Sequence, residues 1–192
     1  MSRLALRVVG VAAVIALLGV GSYAVAGGGS KNFSGSPMTG YEENPDISTV
    51  ATGSFNARMS DDGSSIHYKL TYSGLEGAVT QSHVHFGKTA INGGISFWLC
   101  ETANVQSPVA STPTCPSPGG TVEGDLTAAD VIGPTGQGIE VGNLPEILAA
   151  MRAGHAYANV HTTKWPGGEI RAQLNNHSFK RGHHDDHKKG DH

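Results

Sequence analysis

The chain has 192 residues, 38% of them apolar and only 15% charged, with a formal net charge of −3. Glycine and proline together make up about 19% of it, above the usual share of roughly 12%, and such a turn-rich, charge-poor chain is not a long charged helical bundle. The mildly acidic balance also excludes a nucleic-acid partner, which would need clustered Lys and Arg to displace counterions from a phosphate backbone.

In chain order, residues 1–26 begin with Arg3 and Arg7, continue through an apolar run over 8–20, and end on Ala24-Val25-Ala26 before three glycines. That is the order of a secretory signal peptide, with cleavage expected after Ala26. Left uncleaved, residues 4–26 would just cross a bilayer of about 30 Å and anchor the chain to a membrane. The small residues at the cleavage position favour removal, so the expected location is secreted, periplasmic or extracellular. Residues 27–48 read as an N-terminal linker and residues 49–174 as the folded domain.

Within that domain the apolar pattern has period two. Phe55, Ala57 and Met59 share one parity; Ile66, Tyr68, Leu70 and Tyr72 share one parity of a second run, with His67, Lys69 and Thr71 on the other. Between them Asp61-Asp62-Gly63 supplies a hairpin turn, so the two runs should pair antiparallel. Residues 81–86 and 95–100 are the next strands. Cys100 and Cys115 then enclose fourteen residues rich in Ser, Thr and Pro. In an oxidising compartment such a pair forms one disulfide, while the competing reading, two metal thiolates, lacks a CxxC pair to support it.

Residues 120–126 form a further strand, followed by Thr127-Ala-Ala-Asp130, which has the order of a capping box and predicts a turn or two of helix. Over 143–152, Pro145 in the first turn, the stripe Ile147, Leu148 and Met151, and Gly154 just beyond predict a short amphipathic helix. It leads into strands over 155–161 and 169–174. Seven short strands with one or two short helices predict an all-β fold, a Greek-key-like antiparallel β-sandwich. From residue 175 the chain reads as a disordered tail rich in His, Asp and Lys. Its His183, His184, His187 and His192 alternate with Asp185, Asp186 and Asp191. The tail has two readings, a flexible collector of metal ions and a solubilising polar segment.

Strand alternation also sorts the histidines. In His83-Val84-His85 both imidazoles share one face; in the 155–161 strand His155, Tyr157, Asn159 and His161 share one face while Ala156, Ala158 and Val160 take the other. If the two polar faces meet, three or four imidazoles converge, the ligand set of a Cu or Zn ion. The alternative is histidines that only hydrogen-bond across a sheet. No catalytic nucleophile competes: Ser82 points away from His83, and there is no GxSxG elbow.

The segments Ser82-His-Val-His-Phe-Gly87, Asn92-Gly-Gly94, Leu126-Thr-Ala-Ala-Asp130, Gly154-His-Ala-Tyr-Ala-Asn-Val-His-Thr162 and Pro166-Gly-Gly-Glu-Ile-Arg171 together resemble the CHRD domain, first named from chordin. The resemblance runs over roughly residues 53–174, with the Cys100 to Cys115 segment as an insertion. It implies a secreted, all-β extracellular module that binds a protein or surface ligand. The His83-Val-His85 element is also similar to the copper-ligand strand of copper-zinc superoxide dismutase, although neither a bridging histidine nor a zinc loop is recognisable.

Two functions follow. One is a non-enzymatic exported binding module with a His-lined site for copper or zinc. The other is a copper-dependent redox or metal-handling protein. Both place His83, His85 and His161 on the ion, with His155 the least supported because the resemblance is carried by His161. Glu169 is the candidate acceptor that orients a liganding imidazole, and Arg171 is read as its structural ion-pair partner.

Overall fold

The hairpin at Asp61-Asp62-Gly63 organises the first of two sheets in the computed structural model, which describes residues 29–176. Strands β2 (Thr52–Met59) and β3 (Ser65–Ser73) run antiparallel, from Thr52 opposite Ser73 to Met59 opposite Ile66. Gly63 turns the chain with a φ of 76°, a conformation that costs glycine little because it has no Cβ. Along β3 the alternation holds: Ile66, Tyr68, Leu70 and Tyr72 are buried, and His67 and Lys69 are exposed.

The five-stranded sheet has the order β6 (Gly120–Thr127), β3, β2, β1 (Asn32–Met38) and β9 (Asn175–Asn176). The four-stranded sheet has the order β5 (Gly94–Cys100), β4 (Val79–Phe86), β7 (Ala156–Thr162) and β8 (Ile170–Gln173). Every pairing within them is antiparallel. The chain crosses between sheets after β3, β5, β6 and β8, so the fold is the expected all-β sandwich. The core takes Phe55, Tyr68, Leu70 and Tyr72 from one sheet and Val84, Phe97, Leu99, Ala158, Val160 and Ile170 from the other. Each large apolar side chain removed from water there contributes about 1.5–3 kcal/mol.

Helix α1 (Leu144–Arg152) joins β6 to β7. The Asn143 side chain accepts a hydrogen bond from the Glu146 N–H, Pro145 stands in the first turn, and Ile147, Leu148 and Met151 are buried. Thr127 and Asp130 form the expected capping box, which supports a single 3-10 turn over Ala128–Asp130. Cys100 and Cys115 are bonded as a disulfide.

Two boundaries differ from the sequence reading. The expected linker 27–48 contains β1, whose Phe33 and Met38 belong to the core; its single Gly- and Pro-interrupted run has too little alternation to register as a strand. The expected tail from 175 begins with β9, paired to β1 through Phe33 opposite Asn176. The signal segment 1–26 and the tail histidines His183, His184, His187 and His192 lie outside the described residues. Among the described residues no helix is long and apolar enough to cross a membrane.

Candidate metal centre

On β4 and β7 the core takes Val84, Ala158 and Val160, so His83, His85, Asn159 and His161 project from the opposite side of the four-stranded sheet. Both strands are nonetheless buried there. The cover comes from three irregular segments: the β1–β2 connection, the β4–β5 loop and the β7–β8 turn. Asn44 Nδ2 donates to the Ala90 carbonyl at 3.1 Å and Asn92 Nδ2 to the Asn44 carbonyl at 2.9 Å, tying the first two together. The Glu43 carboxyl fills the space over Gly168, where any side chain would collide with it.

Under this cover His83, His85 and His161 converge, each offering a ring nitrogen, all three within 4.8 Å of one another. Registry explains the meeting: β4 and β7 are neighbours, with Gln81 opposite His161 and His83 opposite Asn159. His83 Nδ1 lies 3.3 Å from His161 Nε2. Backbone carbonyls fix two of the tautomers. His85 Nδ1–H donates to the Gly93 carbonyl at 2.9 Å and His161 Nδ1–H to the Pro166 carbonyl at 3.0 Å. Both rings therefore turn an Nε2 lone pair inward, the second-sphere arrangement by which liganding histidines are usually held.

The Nε2 atoms of His83 and His85 are buried without a hydrogen-bond partner. An unpaired buried polar atom is costly unless some group satisfies it, and an imidazole lone pair is satisfied by a proton donor or a metal ion. Burial, reinforced by His161 and His85, pushes the His83 ring down to about 2, and burial pushes His85 down to about 4 against the opposing Gly93 carbonyl. His161 is lowered by burial too, again against a carbonyl, that of Pro166. All three rings are consequently neutral near pH 7, the state in which imidazole binds metal.

An aromatic and cationic stack supports the cluster. Tyr157 lies parallel to His85, with ring centroids 4.7 Å apart, and its hydroxyl accepts the Gly93 N–H at 3.1 Å. The Arg171 guanidinium packs on the Tyr157 ring, 3.3 Å from its centroid. Trp98 meets His83 edge-on at 4.3 Å between centroids. Glu43, only 6% exposed, is pushed up to about 7 by burial, opposed by the Arg171 charge and by a hydrogen bond from Asn159.

The other residues singled out in the sequence fall elsewhere. His155 has the right parity, but it is exposed and precedes the first residue of β7. It lies six positions before His161, about 20 Å of strand, so a shared face does not bring it to the cluster. Glu169 faces the core side of the sheet. Its carboxylate accepts from Thr49 Oγ1 at 2.9 Å, the Glu76 N–H at 2.8 Å and Thr162 Oγ1 at 2.7 Å, and none of its hydrogen bonds goes to a histidine. Arg171 makes no ion pair with it: the guanidinium donates to the Lys88 and Ile91 carbonyls at 3.1 Å each and to Asn92 Oδ1 at 3.5 Å. The reason is parity, since Arg171 lies opposite Asn159 on β7 and shares its outward face. The carboxyl the sequence reading missed is Glu43, which sits in the stretch taken as linker.

No curated protein and no solved structure is significantly similar to the chain. The family model of the CHRD domain matches residues 35–174, a span that begins within β1 and closes after β8 with all the segments that carry the resemblance inside it. The chain belongs to the CHRD domain family.

Proposed function

We propose that this chain is an exported CHRD binding module whose sandwich holds a copper or zinc ion on His83, His85 and His161. The observation that carries the reading is the pair of buried, unpartnered Nε2 atoms within a cluster of three neutral imidazoles. A polar pocket built for hydrogen bonding alone would supply those atoms with donors. The role of the domain is binding: the cluster holds no nucleophile, and the family is one of binding modules.

A second reading, copper-dependent redox chemistry or metal handling, has one observation in its favour. Three protein donors leave a coordination position for an exogenous ligand, as catalytic metal sites do. Superoxide consumption by the copper-loaded chain, compared with free copper ions, separates the two.

The test of the site itself uses the full chain with His177, His183, His184, His187 and His192 replaced by Ala, so that the tail contributes no imidazole. Equilibrium dialysis against Zn(II) and against Cu(II) should give one tightly held ion per chain. Introducing His83→Ala with His85→Ala should abolish it. Absence of a stoichiometric ion while His83 and His85 are still in place refutes the metal reading and leaves a binding module without it.

A further inference from the structure

Three imidazoles do not complete a tetrahedral shell, and the structure places a fourth donor beside them. Asn159 Oδ1 lies 3.1 Å from His161 Nε2. With the ring proton of His161 on Nδ1, bonded to the Pro166 carbonyl, no hydrogen lies between Nε2 and Oδ1. Two lone-pair atoms face each other at hydrogen-bond distance, an arrangement that is repulsive alone and that a cation between them reverses.

The spacing fits such a cation. Donors about 2.0–2.1 Å from a tetrahedral ion are about 3.3–3.4 Å apart along each edge. The Asn159 Oδ1 to His161 Nε2 separation is 3.1 Å, so this edge is already near that length.

The amide orientation has its own cause. An Asn side chain has an oxygen that only accepts and a nitrogen that only donates, and its neighbours decide which way it points. Asn159 also neighbours the buried Glu43 carboxyl, and its amide opposes the upward shift that burial imposes on that group. The amide nitrogen turns to the carboxyl and the oxygen turns to the histidines. Glu43 is in turn held over Gly168 in the β7–β8 turn, where no side chain fits. The PGG turn and the carboxyl of the β1–β2 connection thereby position one amide oxygen.

We propose that Asn159 Oδ1 is the fourth ligand of the three-histidine site, with Glu43 as the positioning residue that aims it. This rests on the metal reading above and sharpens it. A three-nitrogen, one-oxygen shell suits Zn(II) or Cu(II) over Cu(I), which favours sulfur donors. It also closes the position a redox substrate would need, so the site is one for holding an ion.

The experiment is Zn(II) affinity by competition with a chromophoric chelator, using the full chain with the five tail histidines replaced by Ala. Asn159→Ala should weaken binding on the order of 10–100-fold. Asn159→Asp, which keeps an oxygen at the same place, should restore it. Glu43→Gln, which lets the amide turn, should give an intermediate loss. Unchanged affinity in Asn159→Ala overturns the fourth ligand and leaves the three-histidine site standing, whereas no zinc in the parent chain overturns both. If Asn159→Ala does not fold by circular dichroism, Asn159→Asp decides: retained affinity supports the ligand, and loss refutes it. In the 15N-labelled parent chain the Asn159 side-chain amide resonances should shift in step with zinc occupancy, and resonances that stay in place refute its coordination.

Discussion

Arg171 is the residue whose replacement tests how the buried outer face is held. Its side chain is 1% exposed, and it joins β8 to the β4–β5 loop through the carbonyls of Lys88 and Ile91 while stacking on Tyr157. Hydrogen bonds from a charged donor contribute about 1.5–3 kcal/mol each, and a desolvated cation–π contact adds about 2. Against this stands the cost of keeping a guanidinium out of water, and Arg171→Ala also leaves Glu43 without its neighbouring cation. The two carbonyl hydrogen bonds together set a loss of about 3–5 kcal/mol, and that is the loss expected here. For a domain of this size it corresponds to a fall in Tm of roughly 10–15 °C, at about 2–4 °C per kcal/mol. Urea unfolding followed by the fluorescence of Trp98 and Trp165 gives the free energy directly. Arg171→Lys should recover only part of it, because an ammonium cannot fork between two carbonyls or stack as a plane. A loss below about 1 kcal/mol for Arg171→Ala, or full recovery with Lys, would refute the claim that the guanidinium clamps the loop; with surface ion pairs the effect would be that small.

The remaining predictions concern charge and crosslinking. Replacing Cys100 and Cys115 together by Ser should cost about 3 kcal/mol, the chain-entropy value for a loop of this length, and reducing the native chain should shift its urea midpoint by a similar amount. Glu43, held up to about 7 by burial, binds a proton in the fold that the unfolded chain has released above about pH 4.5. Its contribution to stability therefore declines as pH rises from about 4.5 to 7, by up to about 1.4 kcal/mol per pH unit, and Glu43→Gln should remove that decline when urea midpoints at pH 5 and pH 8 are compared. His83 and His85 act oppositely: they are held down to about 2 and about 4, so the unfolded chain takes up protons below about pH 6.5 that the fold refuses. Metal-free protein should lose stability on acidification from pH 6.5 towards 4, by up to about 1.4 kcal/mol per pH unit for each ring, and His83→Gln with His85→Gln should flatten that slope. Glu169→Ala leaves the Glu76 N–H and two threonine hydroxyls without their acceptor at a fully buried position. It should cost about 2–4 kcal/mol, and denaturation midpoints unchanged from the native chain would contradict its structural role.

Period-two patterning made the sandwich legible because each inner face writes itself directly into alternate residues. Ile66, Tyr68, Leu70 and Tyr72 are core, as their spacing says. Strand β5 shows where that rule stops: its pairing with β4 skips Leu99 and Ser96, and with two such irregularities Ser96 through Cys100 are all buried. Strand β1 was missed for a different reason. Its only core residues are Phe33 and Met38, and a run broken by Gly35 and Pro37 carries almost no periodic signal.

The candidate site shows the same division between what alternation encodes and what loops encode. Alternation put His83, His85 and His161 on one side of two strands, and adjacency of those strands brought the rings together. It gave His155 the same parity, because parity fixes a face and not a height along the strand. It also set Glu169 and Arg171 in one outward row, whereas the turn at Gly168 precedes β8 and leaves Glu169 outside the ladder, free to point to the core side. What alternation cannot express is the cover. A histidine row on the outer face of a sandwich would ordinarily be solvated, protonated below about pH 6.5 and a poor ligand set. It becomes a buried, neutral cluster because Glu43 and Asn44 in one connection and Ala90 to Gly93 in another close over it. The contacts of Asn44 with Ala90 and Asn92 link residues more than forty positions apart, and none of the cover contacts has a period. The chemistry of the site is set as much by these loops as by its histidines, so substitutions in the cover should alter metal affinity without touching a ligand.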